Sequence, residues 1–226
     1  MKNLKLFLAA AILVFVASQT QAQGIGIRGG VNFQNINGKD ALGDQLDNDL
    51  LTGFHAGLIV EAPIVPTFYF QSGLLYSVKG AKSKDDFFGV STSSTVKTGY
   101  LELPLHLVFK PALGNGHIIL GFGPYVAYAL NGKLTYEIGG DKNDVDIKFQ
   151  KKVGINDSEE EFYMRRFDAG GNLFFGYEFA GGLSFQLNTQ LGMLNIDPDD
   201  EGVDGDDTKW NNTGFGLSAM YRFGPR

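Results

Sequence analysis

The stretch YLELPLHLVF, residues 100–109, alternates apolar side chains with others that include ionisable groups. Successive side chains of a β-strand point to opposite faces. One face of this strand is therefore apolar throughout: Leu101, Leu103, Leu105, Leu107 and Phe109. Glu102 and His106 lie on the other face. A soluble sheet turns such an apolar face toward a core, whereas a transmembrane barrel turns it toward lipid. The remaining sequence distinguishes a soluble sheet from a transmembrane barrel.

The N-terminus predicts a secretory signal peptide. Two lysines precede an apolar run at residues 6–17, and small residues follow at the positions that a signal peptidase reads. We expect cleavage after Ala22, so that residues 1–22 are the signal peptide and residues 23–226 form one outer-membrane β-barrel domain. Beyond the signal, no apolar run reaches the ~18 residues that a membrane-spanning helix needs.

Composition narrows the class of protein. The signal peptide holds two of the 19 basic residues and none of the 25 acidic ones, which leaves 17 basic and 25 acidic residues and a net charge of −8. The negative net charge argues against nucleic acid as a partner, because proteins that bind nucleic acids present a basic surface. The chain has no cysteine, so an exported fold must hold together without disulfides.

Eight segments show the period-two alternation of a strand, and each is about ten residues or longer: residues 24–33, 53–62, 68–79, 100–110, 117–130, 167–179, 183–194 and 214–223. The links between them are alternately long (34–52, 80–94, 131–166, 195–213) and short (63–67, 111–116, 180–182). The predicted fold is all-β: an eight-stranded antiparallel up-and-down transmembrane β-barrel with short periplasmic turns and long extracellular loops. We expect a bulge at Pro124, which has no N–H to donate, and a hairpin extension beyond the membrane at residues 133–138.

The two faces of these strands predict a lumen and a lipid belt. Open sheet edges are not tolerated in a bilayer, so the strands must close, and eight strands leave an interior that side chains can fill. The predicted lumen network is Arg28, His55, Glu61, Gln71, Lys79, Glu102, His106, Asp168, Asn172, Glu178, Gln190 and Arg222. The predicted lipid-facing residues are Leu101, Leu103, Leu105, Leu107, Phe109, Phe175, Phe185 and Leu217. Interfacial aromatic girdles are expected at Phe68, Tyr100, Tyr177, Tyr221 and Phe223.

Four motifs carry a family resemblance. In order, GIRGGVNF, YLELPLHLVF, FDAGGNLFFGYEF and the terminal YRF resemble the Bacteroidetes-type outer-membrane β-barrel family, including its PorT-like group. The resemblance runs over residues 24–223. It implies an eight-stranded barrel at the cell surface, in an architecture like the small OmpA- and OmpX-type barrels, and no enzyme activity. Many outer-membrane proteins end on an aromatic residue, whereas GPR follows Phe223 here.

Three groups of residues invite a sharper functional interpretation. His55, His106, Glu61 and Glu102 could form a metal or acid–base site, but a closed barrel needs such groups for its internal network. We therefore expect no catalytic, cofactor or metal site. Residues 195–207 (NIDPDDEGVDGDD) resemble a calcium loop, yet Thr208 occupies the place of the bidentate Glu. Loose divalent-cation binding near lipopolysaccharide and a solvated loop both stay open. The longest loop, around residues 139–166, is the candidate for contacts outside the cell.

The function expected from the sequence is that of an integral protein of the bacterial outer membrane, structural or surface-interacting, non-enzymatic and without cofactors. The alternative is a narrow, porin-like channel or an accessory component of a secretion or uptake system. A third reading is an enzyme in the barrel or a soluble exported lipid-binding barrel. The expected partners are the lipid bilayer, possibly lipopolysaccharide, the barrel-assembly machinery and a secretion-system or surface partner.

Overall fold

The computed structural model describes residues 24–40, 43–87, 90–154, 157–158, 161–200 and 208–223. The predicted signal peptide, residues 1–22, lies outside them and stays a prediction. Thirteen strands lie in the described ranges: β1 Gly24–Lys39, β2 Asp49–Val65, β3 Phe68–Phe87, β4 Val90–Phe109, β5 Ala112–Leu113, β6 Gly116–Ile138, β7 Asp141–Phe149, β8 Lys152–Val153, β9 Phe162–Met164, β10 Phe167–Glu178, β11 Leu183–Gly192, β12 Asp199–Asp200 and β13 Lys209–Phe223. Within these ranges, no helix is long and apolar enough to cross a membrane.

Eight of the strands close into a ring. Each pairs antiparallel with its neighbour in the order β1, β2, β3, β4, β6, β10, β11, β13, and β13 pairs back with β1. The turns that join β2 to β3, β4 to β6 and β10 to β11 are short, and both chain ends of the ring lie at the same rim. The predicted eight-stranded up-and-down barrel is therefore confirmed.

The barrel is taller on one side. β3, β4 and β6 have 20, 20 and 23 residues, whereas β10 and β11 have 12 and 10. Above the level of β10, β6 pairs with β7, so a sheet of β3, β4, β6 and β7 projects beyond the ring on the long-loop side. We call this projection the tall wall. The predicted hairpin at residues 133–138 is confirmed, but the link predicted at 80–94 is wrong, because β3 and β4 continue their pairing through most of it.

Two local predictions need correction. The register of β4 against β6 is the same on both sides of Pro124, so no bulge forms there. The shift lies instead at Gly99/Tyr100, where Leu130 of β6 is the extra residue. Tyr100, predicted in an interfacial girdle, is fully buried. It shares the inward face of β4 with Glu102, because it lies two residues away on the same strand.

Along each strand of the ring, side chains alternate between the outer surface and the interior of the barrel. Apolar residues cover the outer surface, and polar residues fill the interior. At the long-loop end, a second group of buried side chains closes the barrel with an apolar cap, formed by Ile36, Ala81, Ile147, Met164 and Ile196. The cap draws on β1, β3, β7, β9 and the loop after β11, so chain that the sequence analysis assigned to loops supplies core residues.

Candidate functional site

The interior of the barrel collects the polar residues predicted from the sequence. Nine of the twelve predicted lumen residues are buried to 7% exposure or less: Arg28, His55, Glu61, Gln71, Lys79, Glu102, His106, Asp168 and Glu178. Gln190 is 9% exposed, and Asn172 and Arg222 are half-buried at the inner surface. On the outer surface, Phe175, Phe185 and Leu217 are more than half exposed. Leu101, Leu103, Leu105, Leu107 and Phe109 alternate with the buried positions of β4 and are half-buried among neighbouring side chains.

An ion-pair cluster closes the short-turn rim. Lys110 Nζ lies 2.6 Å from Glu61 Oε2 and 2.9 Å from Glu178 Oε2. Arg222 donates a hydrogen bond to Glu178 Oε1 at 3.1 Å, and Gln71 donates one to Glu61 Oε1 at 2.7 Å. These five residues, which we call the rim cluster, contain two cations and two carboxylates. The cluster is therefore neutral by itself.

A second cluster lies deeper, beneath the apolar cap. Lys79 Nζ lies 3.0 Å from Glu102 Oε2 and 3.1 Å from Asp168 Oδ2. The ammonium group lies 4.0 Å from the centre of the Tyr125 ring, and the Tyr125 hydroxyl donates to Asp168. Asn212 also donates to Asp168 Oδ2, at 3.0 Å. This deep cluster, Lys79, Glu102, Asp168, Tyr125 and Asn212, has one cation against two carboxylates. Lys79, Tyr125 and Asn212 donate hydrogen bonds to the carboxylates, and Gln190 adds a fourth donor at Glu102.

Amide groups extend the deep cluster toward the middle of the lumen. Gln190 donates to Glu102 Oε2 at 3.0 Å and to Asn172 Oδ1 at 3.1 Å. Asn172 then donates to His106 Nε2 at 3.1 Å. Since Nε2 accepts this bond, the proton of a neutral His106 lies on Nδ1. The His106 ring packs against Phe174 at 5.0 Å between centres, so His106 is a packed member of the network.

The middle of the lumen is arranged around Ser218. Its hydroxyl lies 2.9 Å from His55 Nε2, and His55 Nδ1 lies 2.6 Å from Asn32 Oδ1. Arg28 and Asn188 donate to the same hydroxyl at 3.2 and 2.7 Å. The remaining cavity among these side chains has a volume of about 40 Å³. A cavity of that size holds only a few water molecules.

Positive and negative charges in the lumen balance. The cations are Arg28, Lys79 and Lys110, all buried, together with Arg222, whose side chain is 15% exposed. The carboxylates are Glu61, Glu102, Asp168 and Glu178. Arg28, which donates to Ser218, interacts electrostatically with Glu102 and so offsets the excess negative charge of the deep cluster. Removing an ion from water costs several kcal/mol unless a partner compensates it, and four charges of each sign meet that requirement.

Several members of the network were missed by the sequence analysis. Lys110 and Tyr100 continue the inward alternation of β4 from Glu102 and His106, so strict parity would have found both. Asn212 was assigned to a loop because the last strand was predicted to begin at residue 214, whereas β13 begins at Lys209. Phe174 lies on the inward face opposite Gly121, and a Cβ at Gly121 would lie 2.1 Å from Phe174 Cζ. Nothing in the local sequence of either residue indicates that contact.

The acidic loop is described only in part, because residues 201–207 lie outside the described ranges. Asn195 Oδ1 accepts hydrogen bonds from the backbone N–H groups of Asp197 and Trp210 at 3.1 and 2.8 Å. Asp199 forms an ion pair with Arg165. In the part of the chain that the structure describes, no three His, Cys, Asp or Glu side chains are grouped to hold a metal ion.

One family of known proteins matches most of this chain. The model of one family, described as outer membrane protein beta-barrel domain, matches residues 17–197. The chain belongs to this family. The protein is accordingly an outer-membrane β-barrel of the bacterial cell envelope, and its apolar outer surface is in contact with the lipid bilayer.

Solved structures show similarity at low identity. Neisserial surface protein A (NspA) is 8% identical, with 88% of this chain and 97% of that chain covered and a TM-score of 0.42. Ail, the attachment invasion locus protein of Yersinia pestis, is 12% identical, with 90% and 100% covered and a TM-score of 0.38. Its complex with the heparin analogue sucrose octasulfate is 13% identical, with 89% and 99% covered and a TM-score of 0.37. A search of curated proteins gives no match.

Proposed function

We propose that this outer-membrane barrel is a closed, non-enzymatic protein with a structural or surface-interaction role. The observation that carries the proposal is the filling of the lumen at every level. From the short-turn rim upward lie the rim cluster, the 40 Å³ cavity around Ser218, the deep cluster and the apolar cap. An ion crossing this path would have to displace paired charges and then pass through apolar side chains, and both steps are costly.

The finer assignments from the sequence belong to the same proposal. Residues 1–22 act as a cleaved signal peptide, and the barrel-assembly machinery inserts the exported chain. The motif resemblance supports membership of the Bacteroidetes-type, PorT-like group. The lumen residues form a structural network, and the outward residues of β4, β10, β11 and β13 contact acyl chains. The tall wall, which projects beyond the ring, is the surface available to an extracellular or secretion-system partner.

One arrangement favours an enzyme, and its surroundings argue against it. Ser218, His55 and Asn32 form a hydrogen-bonded chain of hydroxyl, imidazole and amide, the order that nucleophilic hydrolases use. The Ser218 hydroxyl, however, already accepts bonds from Arg28 and Asn188, and a 40 Å³ cavity has no room for an ester substrate. We assign the chain of three to packing. A fluorophosphonate probe should leave the folded protein unlabelled, and labelling of Ser218 would establish the hydrolase instead.

Planar-bilayer recording tests the closed lumen. The refolded full-length mature protein should insert without producing discrete conductance steps in molar KCl. The matched control is a porin of known conductance, inserted from the same detergent. Reproducible single-channel steps from the wild-type protein would support the narrow-channel alternative and overturn the closed-lumen proposal.

A further inference from the structure

The outer face of the tall wall changes from apolar to basic along three neighbouring strands at one level. On β3, Val78 is followed outward by Gly80, Lys82 and Lys84. On β4, Leu101 is followed by Gly99 and Lys97. At about 3.3 Å per residue and a strand tilt of about 40°, the four-residue step from Val78 to Lys82 rises about 10 Å.

The bulge in β6 places Lys133 on the outer face, as Lys82 and Lys97 are on the neighbouring strands. Because Leu130 is the extra residue at Gly99/Tyr100, Leu130 and Asn131 both lie on the outer face, and Lys133 follows on that face. Lys133 pairs across the sheet with Lys97. Without the bulge, the parity of β6 would turn Lys133 inward.

The charges on this face are incompletely paired. Lys133 binds Asp144 at 2.9 Å, Lys142 lies 3.4 Å from Glu137, and Lys84 lies 3.4 Å from Asp49. Lys82 and Lys97 make no ion pair within the described ranges. Lys97 also lies directly opposite Lys133, and like charges in that position repel each other. Across the sheet, Asp49 lies opposite Lys82 and Asp146 lies opposite Lys133. Lys97, which lies opposite Gly80 and Lys133, has no acidic residue opposite it. The positive charge in excess on this face is therefore centred on Lys97, where an external anion could bind.

Two adjoining grooves match an anion that carries an acyl chain. The lower groove, of about 610 Å³, has Phe54, Tyr76 and Val78 in its apolar wall. Lys97, Lys133 and Asp146, which lies opposite Lys133, also line it. The upper groove, of about 350 Å³, is lined by four lysines, four hydroxyl side chains and one carboxylate, Glu137, which is paired with Lys142. The lysines are Lys82, Lys84, Lys97 and Lys142. Lys97 borders both. Gly99 opens the lower groove, because a Cβ there would lie 2.3 Å from the Tyr76 hydroxyl.

We propose that these grooves bind a phosphorylated lipid of the outer leaflet. Its phosphate lies between Lys82 and Lys97, and an acyl chain lies along Phe54, Tyr76 and Val78. The headgroup layer begins at the edge of the hydrocarbon core and is about 5–8 Å deep. Lysine ammonium groups on flexible stems reach that depth from about 10 Å above the last apolar residue. The site depends on the outer-membrane location and on the outer face, and it is independent of whether the lumen conducts ions.

Lipid retention tests the site. The full-length mature protein is reconstituted in phosphatidylcholine nanodiscs that contain either lipid A with two phosphates or the same lipid after removal of both phosphates. Native mass spectrometry then counts the lipid A molecules that remain bound. The wild-type protein should retain the phosphorylated form, and K82Q/K97Q should bind it about thirtyfold more weakly, as expected for the loss of two surface lysines near anionic headgroups.

The matched control is K39Q/K209Q. It removes two exposed lysines that pair with each other on β1 and β13, at the same end of the barrel but away from the tall wall. This control should bind phosphorylated lipid A as the wild-type protein does. Equal retention of the two lipids, unchanged binding by K82Q/K97Q, an equal loss in the control, or competition by inorganic phosphate alone would each overturn the proposal. None of these outcomes bears on the closed-lumen proposal, which conductance recordings test separately.

Discussion

Two lysine–aspartate pairs in this protein have nearly the same geometry and opposite surroundings. Lys79 lies 3.1 Å from Asp168 inside the lumen, where both side chains are completely buried. Lys133 lies 2.9 Å from Asp144 on the tall wall, where the two side chains are 51% and 50% exposed. Water screens the exposed pair, so it contributes little to stability. The buried pair cannot lose a partner without leaving an uncompensated charge. Burial, and not the distance between the atoms, separates the two regions.

The largest effect is expected from Lys79→Met. The substitution leaves Glu102 and Asp168 buried together without their shared cation. We expect a loss of about 3–5 kcal/mol in the free energy of unfolding. Urea unfolding in lipid vesicles, followed by the shift in gel mobility between folded and unfolded barrel, measures it.

Two variants make the test of Lys79 specific. Lys133→Met removes the same charge from the exposed pair and should leave the unfolding midpoint unchanged. The triple variant K79M/E102Q/D168N removes all three charges and should recover much of the lost stability. Equal effects of Lys79→Met and Lys133→Met would show that burial does not decide the energetics.

A smaller effect is expected from Lys110→Met in the rim cluster. Lys110 is almost as buried as Lys79, but Arg222 stays beside Glu178 at 3.1 Å and near Glu61 at 3.9 Å. The remaining cation lies at the rim, where its side chain is 15% exposed. We expect a loss of about 1.5–3 kcal/mol, in the range for one hydrogen bond to a charged group. The same unfolding assay measures it. A loss larger than that of Lys79→Met would mean that Arg222 does not compensate Glu61 and Glu178.

The lumen shows which features of the barrel the sequence could predict and which it could not. Period-two alternation assigns Lys79, Glu102 and Asp168 to the interior, because side-chain direction is a local property of a strand. It does not pair Lys79 with Asp168, which are 89 residues apart, since barrel closure and register determine that contact. Alternation also fails where a bulge shifts parity, as at Leu130. The apolar cap was missed for a related reason. Ile147 alternates correctly with Phe149, which packs against the cap, but both lie in a segment whose polar composition indicated a loop.

The smallest effect concerns the exposed pair itself. The hydrogen bond from the Thr135 hydroxyl, at 2.7 Å, and the bond from Lys133 lower the pKa of Asp144 below its usual value of 3.8. Because the folded-state pKa is depressed, the stabilisation is present above the unfolded pKa and is lost as the pH falls through the folded value. Thr135→Val should raise the pKa of Asp144 toward the usual value, as read by carboxyl ¹³C NMR titration. An unchanged pKa would assign the whole effect to Lys133.

The orientation of the barrel, with apolar residues toward hydrocarbon and charges toward the lumen, can be measured directly. The chain contains no cysteine, so single nitroxide labels can be placed at the outward positions Phe175, Phe185 and Leu217. Electron paramagnetic resonance in lipid vesicles compares collisions with oxygen, which partitions into the bilayer, and with a water-soluble nickel complex. Oxygen collisions should dominate at all three positions. Dominant nickel collisions at these positions would place them in water and contradict the orientation of the barrel.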